Sequence, residues 1–308
     1  MNKKLLVLLY FSIFITFNFA QQFGVGKYFG QKTPGDKPEI FAKEIVSTKD
    51  FEHGTPVFNK DLTEFYISRV MEHPTRFVNY HFRMDNNGTW NFDTLDLKSR
   101  YFNTEPFLSK NEKRVYFSSL RPNPIISDST KKIWKLWYIE KEGEAWSKPK
   151  ILPPPFGSQY HECQFFEAPD GSFYFTSWRN GGQPDLFRIE VKNDNYIIDT
   201  TFGKNFNTKY DEKGVFVSDD GNCLLFHSNR PGGKGKNDIY ISVKDKKGNW
   251  ENPVNLGDGV NSEAEEWYPR VSPDGKYFFF LSNRTGNFEV YWVDAKSIFS
   301  IIKSKVNK

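Results

Sequence analysis

Glutamate and arginine recur at fixed spacing along this sequence, and both residue types serve either glycoside cleavage or buried ion pairing. A glutamate stands nine residues before each of four expected tight turns: Glu52, Glu162, Glu212 and Glu266. A fifth copy of the pattern has Asn103 near that position. An arginine follows each turn, on the next expected strand: Arg69, Arg121, Arg179, Arg230 and Arg284. Because the same acid and base repeat in nearly every copy, the pattern favours ion pairs that hold a repeated fold together.

Catalysis by the same four glutamates is the alternative interpretation. A glycosidase needs two carboxyl groups about 5 to 10 Å apart, so the glutamates would have to converge on one mouth. A polysaccharide lyase would instead use a base such as His161 or Tyr268, with an arginine that neutralises a uronate. Either reaction would make the protein a carbohydrate-active enzyme.

Residues that break the repeated pattern are better candidates for ligand binding, because a ligand of low symmetry is held by residues that do not repeat. Six residues lie at or beside such breaks: His53, His161, Trp178, Arg179, Trp267 and Tyr268. Aromatic rings beside polar groups suit a stacked sugar ring. In the competing interpretation the histidines are neutral and hydrogen-bonded within the core, and the tryptophan covers the edge of a neighbouring strand.

Other signatures of enzymes are missing from the sequence. No Gly-x-Ser-x-Gly elbow, no His-Glu-x-x-His pair and no Walker A loop occurs. His161-Glu162-Cys163 lacks the spacing of a zinc site. The Gly- and Lys-rich "RPGGKGKND" at 230–238 precedes an expected strand, so we interpret it as a turn. The sequence therefore predicts no metal and no cofactor.

The elements that must position these residues belong to one unit repeated five times. The copies are "FNKDLTEFYISR", "LSKNEKRVYFSSLR", "EAPDGSFYFTSWR", "VSDDGNCLLFHSNR" and "VSPDGKYFFFLSNR". Their closing arginines follow one another at intervals of 51 to 58 residues, which suits four short strands with turns. Aromatic residues make up 18% of the chain, in keeping with half-buried strands. These features predict an all-β, five-bladed β-propeller.

The last copy has no fourth strand, and the missing strand is found at the other end of the chain. Residues 36–54, "DKPEIFAKEIVSTKDFEHG", resemble 250–268, which lead into the fifth copy. An N-terminal strand that completes the last blade would close the ring and leave no exposed edge. We expect a signal peptide at 1–20, a linker at 21–35, the propeller at 36–294 and a C-terminal tail at 295–308.

Two stretches, "GDGVNSEAEEWYPRVSPDGKYFFFLSNR" and "HSNRPGGKGKNDIYISVKDKKGNWENPVNLG", resemble the WD40-like repeats of TolB-type β-propellers, which are common among exported bacterial proteins. The resemblance is strong in the last two copies and weaker in the first two. It implies a propeller fold and a binding or scaffolding role, without implying one reaction.

The first residues and the charge balance indicate where the protein works. Two lysines precede an apolar run from Leu5 to Phe17, and Ala20 suits signal-peptidase cleavage. The run is too short to span a membrane, and no cysteine follows it to carry a lipid anchor, so we expect a periplasmic or secreted protein. A net charge of +4 with interspersed signs does not indicate nucleic-acid binding. Cys163 and Cys223 are expected to be free thiols, with a bridge between them as the alternative.

Together these features predict an exported, non-catalytic propeller that binds a protein partner of the cell envelope or a glycan. The alternative is a glycoside hydrolase or polysaccharide lyase that uses the four glutamates. The tail is expected to form a short amphipathic helix on the propeller rim, with membrane contact as the other interpretation.

Overall fold

The computed structural model describes residues 24–72, 75–97, 100–124, 132–143, 145–193 and 195–299. Within these ranges the chain forms five antiparallel sheets arranged as the blades of a propeller. The five-bladed β-propeller predicted from the repeats is confirmed. The signal peptide predicted at 1–20 lies outside the described residues, as do residues 300–308 of the predicted tail.

The strands are numbered in chain order. The first strand is β1 (Glu39–Ile40). Blade 1 contains β2 (Phe51–Glu52), β3 (Val57–Phe58), β4 (Glu64–Glu72), β5 (Thr75–Met84) and β6 (Trp90–Thr94). Blade 2 contains β7 (Asn103–Leu108), β8 (Arg114–Ser119), β9 (Lys135–Glu142), β10 (Ala145–Trp146) and β11 (Lys150–Ile151). Blade 3 contains β12 (Glu162–Glu167), β13 (Phe173–Ser177), β14 (Asp185–Lys192) and β15 (Asn195–Ile198). Blade 4 contains β16 (Glu212–Val217), β17 (Cys223–Ser228), β18 (Asp238–Val243) and β19 (Val254–Asn255). Blade 5 contains β20 (Glu266–Val271), β21 (Tyr277–Ser282) and β22 (Glu289–Asp294), and β1 completes it.

The N-terminal strand closes the ring, as the sequence predicts. β1 pairs antiparallel with β22, placing Glu39 opposite Trp292. Phe41 follows the strand, is fully buried and packs its ring 5.1 Å from those of Phe279 and Trp292. Because β22 would otherwise be an open edge, this pairing removes a site of unwanted strand addition.

Part of the segment expected to be a linker packs against the propeller. A 3-10 turn at Lys27–Gly30 buries Tyr28 and Phe29 among the aromatic rings of blades 1 and 5. The Tyr28 hydroxyl donates a hydrogen bond to Asp274 in the last inner turn. Burial of the side chains of Tyr28 and Phe29 thus stabilises the contact between the first and last blades.

Each blade begins with its innermost strand, and the five innermost strands share an irregularity. In blades 2 to 5 their pairing to the second strand shifts register midway, and in blade 1 the pairing is interrupted between β2 and β3. One residue of each takes a positive φ, between 52° and 117°: Gly54, Glu105, Gln164, Gly214 and Tyr268. These five residues meet around the centre of the channel. The shared bulge therefore divides the channel into two ends, a glutamate face where the innermost strands begin and a turn face where they end.

The C-terminal tail turns into a helix over residues 295–299, with Ile298 buried against the main apolar core. Phe299 lies at the rim of the turn face. In the described part of the chain, no helix has the length and apolar character needed to span a bilayer.

Candidate functional site

The glutamates of the glutamate face form one repeated arrangement with the arginines that close the repeats, here called the corner arginines. Arg69, Arg179, Arg230 and Arg284 donate to Glu52, Glu162, Glu212 and Glu266 of the same blade, and all four glutamates are fully buried. In each blade the arginine also donates to a backbone carbonyl 23 or 24 residues earlier. Each pair thus ties together the inner strand, the second strand and the segment that enters the blade.

A serine or threonine four residues before each glutamate completes the arrangement. The backbone N–H and the hydroxyl both donate to the carboxylate, from Thr48, Ser158, Thr208 and Ser262. The four-residue spacing is visible in the sequence, but only the repeat alignment shows that it recurs. All four carboxylates are buried, and their oxygens accept hydrogen bonds except Glu52 Oε2, which has no partner among the described residues. These contacts stabilise the blades.

Blade 2 keeps the same geometry without the charge. Asn103 Oδ1 accepts hydrogen bonds from Arg121 Nη2 at 2.9 Å and from Ser119 Oγ at 2.7 Å. Because no carboxylate balances its charge there, burial lowers the pKa of Arg121 to about 10. A neutral acceptor therefore suffices to hold the corner, which identifies the arrangement as structural.

The predicted ligand-binding residues lie on the glutamate face in two groups. In the first, His161 Nδ1 accepts the backbone N–H of Trp134 at 3.2 Å, and its ring lies 5.7 Å from that of Trp178. Burial lowers the pKa of His161. Arg179 next to it is held by Glu162. These side chains are half-buried, and Nε and Nη2 of the arginine are engaged by Ser177, the carbonyl of Pro155 and Glu162.

The second group surrounds the channel axis. His53 Nδ1 lies 2.9 Å from Thr104 Oγ1, and burial lowers the pKa of His53, so the ring is neutral. The ring of Trp267 stacks on Phe288 at 4.3 Å. Tyr268 belongs to the central bulge. Phe77 connects the two groups through ring contacts with His53 and Trp134, 5.1 and 5.8 Å between centroids. Ligand binding at this face stays a prediction.

A hydrogen-bonded plug fills the middle of the channel. The Tyr268 hydroxyl donates to Glu105 Oε1 at 2.7 Å, and Ser118 Oγ donates to Glu105 Oε2 at 2.7 Å. The backbone N–H of Gln164 also donates to Oε2, and Gln164 Oε1 accepts the N–H of Gly214. Burial, with the charge of Glu105, raises the pKa of Tyr268, so its hydroxyl stays a neutral donor. The plug lies between the two faces.

The turn face opens into a cavity of about 910 Å³. Its inner wall consists of Phe107, Phe166 and Phe216, which occupy equivalent places on β7, β12 and β16. The next layer outwards includes Leu108, Val217 and Val271, and Phe299 of the tail lies at the rim. A volume of this size, with mostly apolar walls, is typical of a ligand pocket.

The sequence did not predict the residues of this cavity, because the candidate residues chosen from the repeats all lie at the glutamate face. The signal was present, however: on aligned inner strands the position that holds phenylalanine in blades 2, 3 and 4 holds Arg270 in blade 5. Glu105 and Gln164 were missed because only the structure shows which residue of each innermost strand bulges into the channel.

Neither cysteine forms a disulfide: Cys163 and Cys223 are buried free thiols, and burial raises the pKa of both. In the described ranges no cluster of three or more histidine, cysteine, aspartate or glutamate side chains is arranged to hold a metal ion.

No family model matches the sequence, and no curated protein matches it. Among solved structures, the chain is similar to a putative TolB from Agrobacterium tumefaciens, with a TM-score of 0.52 and 14% identity over 81% of this chain and 79% of that one. This likeness shows a TolB-like propeller fold. It shows nothing about activity, because the identity is low.

Enzymes are also among the similar structures. An oligogalacturonate lyase from Vibrio parahaemolyticus has a TM-score of 0.39 and 13% identity, over 80% of this chain and 67% of that one. The GH43 protein BlXynB from Bacillus licheniformis has a TM-score of 0.47 and 13% identity, over 82% of this chain and 57% of that one. Both scores are too low to assign a reaction to this propeller.

Proposed function

We propose that this protein is a non-catalytic binding propeller that holds an apolar segment of a protein partner in the cavity of the turn face. The observation that carries the proposal is the cavity itself, about 910 Å³ in volume and walled by Phe107, Phe166 and Phe216. Burial of apolar surface in such a pocket is the main source of binding free energy. The signal peptide predicted at 1–20 would place the partner in the periplasm or outside the cell.

A protein segment suits the cavity better than a glycan does. Sugar hydroxyls need several hydrogen-bonding groups on the pocket walls, and leaving them without partners costs free energy. The inner wall carries phenylalanine, leucine and valine side chains with one charged group, Arg270, and the other charged groups lie at the rim. Catalysis by the glutamates has less support, because Glu52, Glu162, Glu212 and Glu266 are buried in ion pairs.

Two ligands of different chemistry test the proposal. The neutral dye N-phenyl-1-naphthylamine fluoresces when it leaves water and reports occupation of the cavity. We expect saturable dye binding, displaced by an acetylated apolar peptide amide such as acetyl-Phe-Leu-Phe-amide and unaffected by maltoheptaose or oligogalacturonate. Displacement by an oligosaccharide alone, or absence of saturable dye binding, would overturn the proposal.

A pair of variants locates the binding. Val271 is partly exposed and lines the cavity, so Val271→Trp fills part of it. Val191 is 43% exposed on β14, away from the cavity, and Val191→Trp is the matched control. We expect the first change to weaken dye binding and the second to leave it unchanged, with circular dichroism confirming that both variants fold.

A further inference from the structure

One ring of five equivalent residues around the channel contains a residue of a different kind. Where the innermost strands resume pairing after the bulge, the five equivalent residues are Val57, Phe107, Phe166, Phe216 and Arg270. Four are apolar and one is a cation. The guanidinium of Arg270 therefore stands in an apolar ring at the inner end of the turn-face cavity.

Among the described residues, the guanidinium of Arg270 has no hydrogen-bond acceptor. Its Nε is buried without a partner, and across the described ranges no hydrogen bond or ion pair joins this guanidinium to another side chain or to the backbone. Its Cζ lies 5.4 Å from the ring centre of Phe107 and 5.9 Å from that of Phe166. The corner arginines, in contrast, all donate to an acid or an amide of their own blade.

An unpaired guanidinium in this position is energetically unfavourable. Taking a cation out of water is costly, and contacts with the faces of two rings offset only part of that cost. Burial lowers the pKa of Arg270 to about 10, so the group remains charged at neutral pH. The protein thus keeps an uncompensated positive charge at the inner end of this mostly apolar cavity.

The acids around the cavity have other partners. Glu167 accepts the backbone N–H of Lys110, and the Nζ of Lys110 lies 3.9 Å from Asp219. Glu112 accepts the N–H of Lys60 at 2.9 Å. Asp220 engages its own turn through Ser218 and Asn222. None of these rim carboxylates pairs with the guanidinium, so the charge is open to an anion that enters the cavity.

We propose that Arg270 binds the carboxylate of a ligand whose apolar body fills the turn-face cavity. This inference rests on the proposed function and names the chemistry of the ligand. A planar guanidinium matches a carboxylate through two parallel hydrogen bonds. A dianion such as phosphate fits less well, because Arg270 is the one cation among the residues of the inner end and the rim carries four acids beside Lys60 and Lys110. The carboxylate comes either from the C-terminus of a partner protein or from a free apolar carboxylic acid.

Matched acids and amides test the proposal by displacement of N-phenyl-1-naphthylamine. Acetyl-Phe-Leu-Phe with a free carboxylate is compared with its amide, and 4-phenylbutyrate with 4-phenylbutyramide. We expect each acid to bind at least about tenfold more tightly than its amide, since hydrogen bonds between charged groups in such a site are worth that much. A larger preference for the acid over the amide in the peptide pair indicates the C-terminus of a protein, and a larger preference in the phenylbutyrate pair indicates a free acid. Either result supports binding of a carboxylate at Arg270.

Variants of Arg270 tie the preference to the guanidinium. In Arg270→Met we expect the ratio of amide to acid dissociation constants to fall to about one, and in Arg270→Lys to fall only in part. Lys192→Met removes an exposed charge outside the cavity and should keep the wild-type ratio. If Arg270→Met does not fold, the ratio of amide to acid dissociation constants in the wild type still tests whether the site prefers a carboxylate. Equal binding of acid and amide in the wild type, with the dye bound, would overturn this inference and leave the proposed function intact, whereas failure of dye binding would remove both.

Discussion

Replacing Glu266 with alanine tests whether the buried ion pairs hold the blades together. Glu266 is fully buried and accepts four hydrogen bonds, from Arg284 Nη2 at 3.0 Å, Ser282 Oγ at 2.7 Å, Ser262 Oγ at 2.6 Å and Ser262 N at 2.9 Å. The alanine variant leaves Arg284 without its counter-charge and three further donors without an acceptor. Breaking a buried ion pair in this way costs roughly 3–5 kcal/mol of the free energy of unfolding.

Blade 2 supplies the reason for a second, milder variant. There Asn103 holds Arg121 with an uncharged oxygen. Glu266→Gln keeps one acceptor for Arg284 and loses the charge, so we expect a loss of about 1.5–3 kcal/mol, between that of alanine and zero. The order Glu266→Ala, then Glu266→Gln, then wild type follows from the geometry alone.

Urea unfolding followed by tryptophan fluorescence and circular dichroism measures these losses. The control is Asp93→Ala, which removes the partner of Arg83 in an ion pair whose side chains are 48% and 69% exposed. An exposed pair contributes about 0–1 kcal/mol. If Glu266→Ala lowered the free energy of unfolding no more than Asp93→Ala does, the buried pairs would have no structural role. A catalytic or binding role for the glutamates would then have to be considered again.

Three further predictions concern pH, closure and the central bulge. Burial raises the pKa of Glu52 to about 7. A carboxyl with a raised folded pKa binds its proton more tightly when folded, so its contribution is present below the unfolded pKa and lost as pH rises through 7. The free energy of unfolding of the wild type relative to Glu52→Gln should therefore fall between pH 4.5 and 7.5, by about 3 kcal/mol at most, in paired urea titrations; a constant difference would contradict the burial argument. Phe41→Ala should cost about 3–5 kcal/mol, because the fully buried ring fills the closure, and size-exclusion chromatography should show association through the loosened edge. A loss under 1 kcal/mol would mean that the N-terminal segment does not close the ring. Gly214→Ala places a Cβ 2.6 Å from His227 Nδ1 at φ 68° and should lower the melting temperature more than Gly181→Ala, where φ is 77° and the space is open; equal shifts would show that the inner strand can move.

The fold could be predicted from the sequence because the residue types that specify each blade lie close together in the chain. Turn residues, strand aromatics and the corner arginines recur at a regular interval, and each blade can be recognised from its own segment. The closing strand at 39–40 was also predictable, since the last copy lacks a fourth strand and residues 36–54 resemble the entry to blade 5. Glu and Arg were expected to pair for the same reason, and the structure shows the pairs.

The candidate site depended on contacts between blades, which no single repeat contains. Tyr268 and Glu105 are 163 residues apart, and only ring closure with a bulge in each innermost strand brings the hydroxyl 2.7 Å from the carboxylate. The apolar ring that encloses Arg270 is assembled from one residue of each blade. The sequence by itself determined the repeated unit and its number, because turns and strands are specified locally. The tertiary structure alone decided which residues line the turn-face cavity and that the Arg270 guanidinium has no acceptor among the described residues, because burial and pairing depend on residues from all five blades at once.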